Sequence, residues 1–376
     1  MKGLIAQMLD VQGQIQTQLN QPQAESNLQQ SIALHTATGN SPGTASSKAS
    51  LAAYYQQNQP ELAIALYKSA VQDYEAIRKG LAALPKDQQQ SYTETVAKTY
   101  RNLTGLLLKN DRILEARQVI ELLKLQELDD YSRDTRGQSS PLSILKAETE
   151  LLNAFNQQVT GRYTSLFQAS QELETLRSKS DAEKTPAIQK RIRDLETLET
   201  QGNAIATQCL DDPTVKTHIQ QLQTNDKILA PSDDNLNQLT ESLASLKQSN
   251  QTAAIFYPLI FDDRLEILLI TPNGPPLHRT VKPFDRLTFN ETVQNLSIDL
   301  TDIDKNPQPN AQKLYQWLIK PIEAELKEAG INTLIYSPDR RLRSVPLAAL
   351  HDGQQWLIEN TKSATSPQRA PPTSQQ

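Results

Sequence analysis

The spacing of apolar residues changes period at Thr252, and that change restricts the fold more than any single motif does. Upstream, apolar residues between positions 51 and 125 recur at i, i+3, i+4 and i+7, the pattern of helices with one buried face. Downstream, residues 253–261 and 265–271 are short runs rich in Ile, Leu, Phe and Tyr, separated by Asp262-Asp263-Arg264, which reads as a β-hairpin. Leu277–Val281 is a third strand after a Pro/Gly-rich turn, and helices are predicted at 286–300 and 312–329. Gly330 then precedes an apolar strand at 332–337. This β…α…β order predicts an α/β domain with a partly parallel sheet. The expected fold class is a mainly α N-terminal helical-repeat region and a helical hairpin spacer, followed by an incomplete α/β domain.

Punctuation locates the helices. Asn58 and Pro60 suit a helix start, because asparagine caps the first amides and proline is tolerated in a first turn; Gly80 and Pro85 mark the far end. A second helix is predicted from about Ser91, with Tyr92, Val96, Tyr100, Leu103 and Leu107 on one face, and a third from about Ile113. The roughly 34-residue tetratricopeptide repeat has an aromatic on its first helix and A-x3-F-x2-A on its second. In that register this chain places Tyr54, Ala63, Tyr67 and Ala70, then a decayed copy with Leu107, Ala116, Ile120 and Leu123. Small residues let two helices approach, and the aromatic fills the gap between neighbouring repeats. The copies lie 53 residues apart (Ala63 to Ala116), so the helices between them are lengthened by roughly five turns in total, or a loop is inserted at 84–90. An earlier copy would use Glu25, Gln29 and Ile32, in a region where 12 of the first 60 residues are Gln and a helix can stay soluble without burying much.

These readings divide the chain into a degenerate helical and linker region at 1–50, with 39–48 a flexible link by composition, and repeat-like helices at 51–130. A helical hairpin spacer follows at 141–250. It is broken near 178–186 and closed by a short helix at 235–246 capped by Ser232 or Asp233. The α/β segment covers 252–360. After Asn360 the text turns to small polar residues and proline, so 361–376 is expected to be a disordered tail unable to supply a strand. The strand at 332–337 would then lack a neighbour, leaving 253–360 poorly stable alone or dependent on docking.

Composition removes several function classes. A net charge of −5 with interleaved signs leaves no basic stripe for nucleic acid. One cysteine, Cys209, cannot close an intramolecular disulfide. No apolar run approaches the ~18–20 residues of a membrane span, and the start is not signal-like, so a cytoplasmic protein is expected. No phosphate loop, zinc spacing or HExxH occurs, and no cofactor or metal is expected.

The second half resembles the CHAT family, caspase-like domains associated with tetratricopeptide repeats. The matching text is Ile255-Phe256-Tyr257-Pro258-Leu259, residues 265–276 and the block 337–353, in which Pro338, Asp339, Leu342, Arg343 and Pro346 form a Pro-Asp-x-x-Leu-Arg-x-x-Pro motif. Residues 60–68 and 119–128 look like the repeats that precede this domain, particularly in cyanobacterial members, so the resemblance spans roughly 50–360. It implies a caspase-type fold whose catalytic pair is a histidine followed by glycine at one strand end and a cysteine at the next. Such a cysteine attacks as a thiolate that the histidine helps to form. In the family both residues fall beyond the block that ends at Asn360, so the resemblance reads as a C-terminally truncated member with no catalytic residue to carry over.

Other residues invite chemistry. Cys209 and His218 are nine apart on predicted helix and turn, where an inert cysteine is the simpler reading. His351 beside Asp352 suggests a triad, but side chains adjacent in sequence rarely face each other, and a turn-stabilising role fits better. Arg340, Arg341 and Arg343 form a basic turn, Asp262, Asp263 and Glu266 an acidic hairpin, and Tyr54, Tyr67 and Tyr74 repeat packing. The expectation is therefore a non-enzymatic scaffold that binds another protein through its repeats, with self-association through the incomplete sheet as a second route. A cysteine peptidase and a non-functional relic of a longer gene are the alternatives.

Overall fold

The computed structural model describes residues 2–81, 86–129, 142–180, 183–200, 208–224, 234–246, 251–360 and 362–365. They form two units, Met1–Pro231 and Ser232–Gln376.

The first unit is helical: α1 (Lys2–Gln18), α2 (Gln23–Ala37), α3 (Ser41–Tyr55), α4 (Pro60–Leu81), α5 (Lys86–Lys109), α6 (Ile113–Asp129), α7 (Lys146–Arg177), α8 (Pro186–Thr200) and α9 (Pro213–Thr224). Short turns join α1 to α2, α3 to α4 and α5 to α6 into three hairpins that stack in order. At the centre, α4 is buried along its first half: Leu62, Ala63, Ile64, Leu66, Tyr67, Ala70 and Val71 are sealed from solvent. Helix extension, not an inserted loop, accounts for much of the 53-residue offset, since α4 has 22 residues and α5 has 24, the latter starting at Lys86 and not near Ser91.

Three expectations are corrected in this unit. Residues 39–48 are not a flexible link but the start of α3. Asn40 caps it by accepting a hydrogen bond from the Gly43 amide at 3.2 Å, and Pro42 sits in the first turn. Gly43 also lets α3 press onto α2, because a Cβ there would overlap the His35 ring. The region 1–50 forms α1, α2 and most of α3, and Glu25, Gln29 and Ile32 are buried on α2. Nor is α7 merely a spacer: its first half buries Leu151, Leu152, Phe155, Val159 and Tyr163, with Phe155 edge-on to Tyr55 at 6.2 Å and the Tyr163 hydroxyl donating to the Ser26 carbonyl at 3.2 Å. Its second half meets α8 over a small core of Ala169, Leu173 and Leu195, flanked by the Arg177–Glu196 and Arg191–Glu172 ion pairs at 2.7 Å. Helix α9 was not anticipated, although Asp212-Pro213 followed by Val215, Ile219 and Leu222 is a start signal with a buried stripe. Asp212 accepts from the Thr214 amide at 2.9 Å and the Val215 amide at 3.2 Å.

The second unit contains α10 (Asp234–Leu246), β1 (Ala253–Ile260), β2 (Leu265–Ile270), β3 (Leu277–Val281), α11 (Arg286–Thr301), α12 (Gln308–Leu318), α13 (Glu323–Glu328), β4 (Thr333–Tyr336), α14 (Leu357–Asn360) and β5 (Lys362–Thr365). Both proposed caps of α10 lie outside the described residues. The five strands run β3-β2-β1-β4-β5, antiparallel from β3 to β1 and parallel from β1 to β5. Every residue of β1 and β2 is buried, and apart from Glu266 the two strands are the apolar runs expected of strands covered on both faces. Phe256, Ile267, Phe289, Leu314, Leu318 and Leu334 are central in the core.

The helix expected at 312–329 is two helices. It starts earlier, at Gln308, with Pro309 in its first turn, and it breaks where Pro321 removes an amide, leaving a 3-10 turn at Lys320–Ile322 before α13. Gly330 takes φ +61° and closes α13, its amide bonding the Lys327 carbonyl and the next amide the Leu326 carbonyl. The larger correction concerns 361–376. Lys362–Thr365 is a strand paired with all of β4, Thr333 to Tyr336, so β4 has a neighbour on each edge. An edge strand needs main-chain donors and acceptors more than apolar side chains, and composition does not display those. Residues 366–376 lie outside the described residues. Among the described residues no helix is long and apolar enough to cross a membrane.

Candidate functional site

Strand β4 delivers the Pro-Asp-x-x-Leu-Arg-x-x-Pro block to the carboxyl end of the parallel strands, where open α/β sheets present their ligand-binding loops. The Tyr336 hydroxyl donates to the Leu342 carbonyl at 2.9 Å, and the Leu342 amide donates to the Asp339 carbonyl at 2.9 Å, folding a 3-10 turn (Arg340–Ser344) back over the strand end. Leu342 and Val345 enter the core with Leu347 and Leu350, and Asp339 is buried. Pro338 is half-buried, and Arg343 and Pro346 are exposed. The side chains of Arg340 and Arg341 lie outside the described residues. The block therefore closes the end of the hydrophobic core through its apolar members.

His351 and Asp352 form a turn and do not face each other as a pair. The His351 Nδ1 accepts from the Gly353 amide at 2.9 Å, and its ring meets Trp356 edge-on at 4.8 Å, across a one-residue bridge. Asp352 accepts from the Gln354 and Gln355 amides at 2.7 and 2.8 Å; those amides hold its carboxyl below the usual range. The acidic hairpin is likewise partnered. Asp262 pairs with Arg286 and Asp263 with Arg264, while Glu266 is buried on β2 and accepts from Arg264 and Thr280 at 2.6 Å, 2.9 Å from His278 Nε2. Among the described residues no group of three His, Cys, Asp or Glu could hold a metal ion.

Cys209 sits inside the first unit, fully buried, with its Sγ donating to Gln29 Oε1 at 3.5 Å. Burial pushes the thiol up to about 11, which suppresses the thiolate at neutral pH. Around it, the Tyr55 hydroxyl donates to Glu25 Oε1 at 2.6 Å and Gln29 Nε2 donates to the same oxygen at 3.2 Å. Burial raises the Glu25 carboxyl despite both bonds. His218 is half-buried on α9, 3.2 Å from Gln221 Oε1, and His35 lies 3.0 Å from the Asn40 amide nitrogen.

The repeat positions are helix-packing positions. Ala63, Tyr67, Ala70, Leu107 and Ala116 are fully buried, Ile120 and Leu123 are buried, and Tyr54 is half-buried, edge-on to Tyr55 at 5.3 Å. Tyr67 joins α4 to the next hairpin by accepting from Asn102 Nδ2 at 3.3 Å, and Tyr74 packs edge-on against Tyr92 at 6.2 Å.

Sequence reasoning missed a buried cluster of four charges beside Tyr67. Lys68 pairs with Glu115 and, at 2.8 Å, with Glu148; Arg112 makes 2.7 Å bonds to both Glu115 oxygens and a 2.5 Å bond to Glu148. Glu148 also accepts from the Leu145 amide at 2.8 Å and so starts α7. Two cations and two carboxylates cancel within a space closed to solvent, which ties α4, α6 and α7 together and admits no substrate. A lysine inside the apolar run Leu62–Val71 was the available signal, since charges are rarely fully buried unless paired.

No curated protein and no solved structure matches this chain. Residues 308–376, from the start of α12 onward, match the family model for the CHAT domain, including the segment whose composition had suggested a departure from that family.

Proposed function

We propose that this protein is a non-catalytic interaction module: the stacked hairpins of the first unit bind another protein, and the α/β unit carrying the CHAT-type segment accompanies them. One observation carries the reading. The segment that matches the CHAT domain contains His351 and no cysteine, and the single cysteine of the chain is a buried hydrogen-bond donor in the other unit. Cysteine peptidase chemistry needs an accessible thiolate beside a base. Stacked helical hairpins offer extended protein-binding surfaces instead. The acidic balance disfavours nucleic acid.

The family match favours one competing reading, a caspase-like cysteine peptidase, and one experiment separates the two. The full chain is incubated with a peptide pool with and without a thiol alkylator, and the native protein is titrated with a chromogenic disulfide. The expected results are no turnover and no thiol release until denaturant is added. Cleavage that is lost on Cys209→Ala would overturn the proposal.

A further inference from the structure

Half of the exposed large apolar side chains among the described residues sit on or just after one helix. Of twelve, Leu4, Ile5, Met8, Val11, Ile15 and Leu19 belong to α1 and the residue that follows it, each 44–64% exposed. Leu4, Met8, Val11 and Ile15 follow a 4-3-4 spacing, the alternation of d and a positions in a seven-residue coiled-coil repeat. The opposite face is already occupied. Ala6, Asp10 and Gly13 are buried, Asp10 accepts from Ser46 at 2.9 Å, and a Cβ on Gly13 would come within 2.5 Å of Leu28. The seam therefore points away from α2 and α3, along an open groove of about 610 Å³ flanked by Gln7, Gln12 and Gln16.

The flanks identify the occupant. In a coiled coil, charges at e and g select or reject partners. Here those positions hold Ile5, Gln7, Gln12 and Gln14. The two charges of α1 are off the seam: Lys2 lies over the Phe167 ring at 4.0 Å, and Asp10 faces inward. A charged helix would lose hydration against this surface without gaining a counter-ion, whereas a second uncharged seam docks with no like-charge contact. The chain supplies such a seam itself, and identical patches pair about a two-fold axis. We infer that α1 pairs with α1 of a second copy, with the axis passing beside Val11. The pair is a parallel one, in which each d position faces the same d position of its mate, so Val11 meets Val11. A helix of 17 residues spans about 25 Å, and one such seam falls below the roughly 800 Å² per partner of a standard interface. The dimer is accordingly weak and concentration-dependent.

This inference deepens the interaction-module reading and rests on it, yet the two fail separately: peptide turnover counts against the module, and a monomeric chain counts against self-pairing alone. The test is sedimentation equilibrium of the full chain from about 1 to about 300 µM, a range that brackets a micromolar Kd. The apparent mass is expected to rise from 42.0 kDa toward twice that value. Val11→Glu, at an exposed position, should hold the chain at the monomer mass with unchanged helix content. Val11→Cys should give a disulfide-linked dimer on mild oxidation, while Leu287→Cys, at an exposed position of the second unit, should not. A wild-type monomer throughout would overturn the inference and assign the seam to a different partner. A dimer that survives Val11→Glu, or a Val11→Cys chain that does not cross-link, would overturn it as well.

Discussion

Glu148→Gln isolates the buried charge cluster, because the amide keeps the shape and the acceptor for the Leu145 amide while removing one charge. Lys68 and Arg112 are then left with Glu115 alone, a net positive charge in a space where both cations are sealed from water. Removing one partner from a buried ion pair costs about 3–5 kcal/mol, much of it the uncompensated charge left behind. For a body of 150–250 residues each kcal/mol moves Tm by about 2–4 °C, so the first unit should melt about 6–20 °C lower. The pH dependence gives an independent check. Burial pushes the Glu148 carboxyl up, but Lys68 and Arg112 outweigh it and the folded value is lowered from 4.5. A lowered carboxyl contributes stability that is present above its unfolded value and lost as pH falls through its folded value. The gap between wild type and variant should stay level from neutral pH down to about 5 and shrink below about 4.5.

Two probes distinguish the units. Both tryptophans, Trp317 and Trp356, lie in the second unit, so their fluorescence follows that body, while ellipticity at the helical band follows mainly the first. Adding Lys68→Met to Glu148→Gln leaves the balanced Arg112–Glu115 pair, so the double variant should be less destabilised than the sum of the singles by about 1–3 kcal/mol. A Glu148→Gln helical transition within about 2 °C of wild type would refute the argument, since that equals less than 1 kcal/mol. Strict additivity in the double variant would refute it too.

Two glycines should respond with opposite signs. Gly43→Ala must displace the His35 ring and should cost about 1–3 kcal/mol, whereas Gly161→Ala, in the interior of α7 with open space around its Cβ, should gain about 0.5–1 kcal/mol; thermal melts of both variants decide this. Glu25→Gln should invert the pH behaviour of Glu148. Burial raises the Glu25 carboxyl above 4.5, so ionising it costs stability as pH rises through that folded value, and the variant's Tm relative to wild type should become more favourable from pH 4 to pH 8. A flat difference across that range would show that Glu25 titrates as it does in the unfolded chain.

The legible parts of the fold were those specified by local chemistry. Pro60 opens α4 and Ile113 opens α6, and the break between α7 and α8 falls where Ser178 and Pro186 placed it. The β1–β2 hairpin closes at Asp262-Asp263-Arg264, with the Phe261 amide bonded to the Arg264 carbonyl at 2.9 Å. What escaped depends on neighbours distant in sequence. Gln-rich α2 looked too polar to bury, but Glu25 and Gln29 find Tyr55, 30 and 26 residues away, and so satisfy one another inside. Lys68 is 80 residues from Glu148, and no spacing rule joins them. For the candidate site, the placement of His351 in a turn could be read from its adjacent Asp352. The burial of Cys209 could not, because Gln29, to which its thiol donates, lies 180 residues away.

The outermost strand shifts where this protein should seek partners. Expecting nothing after Asn360 left one edge of β4 bare, and that made the sheet the natural place for self-association. With Thr333 to Tyr336 paired on both sides, the apolar core strands β1, β2 and β4 are all interior, and among the described residues the edges of the sheet are the two peripheral strands, β3 and β5. Strand β3 is short and carries His278, Arg279 and Thr280, and Arg279 is tied to Glu325, the composition that discourages edge-to-edge pairing. At the other end of the chain the reverse holds. Main-chain groups in the interior of α1 are satisfied within the helix, yet its outward side chains are apolar and its inward ones small. Among the described residues α1 exposes more large apolar side chains than any other element, so association driven by side-chain burial favours α1 over the sheet, whose apolar strands are enclosed.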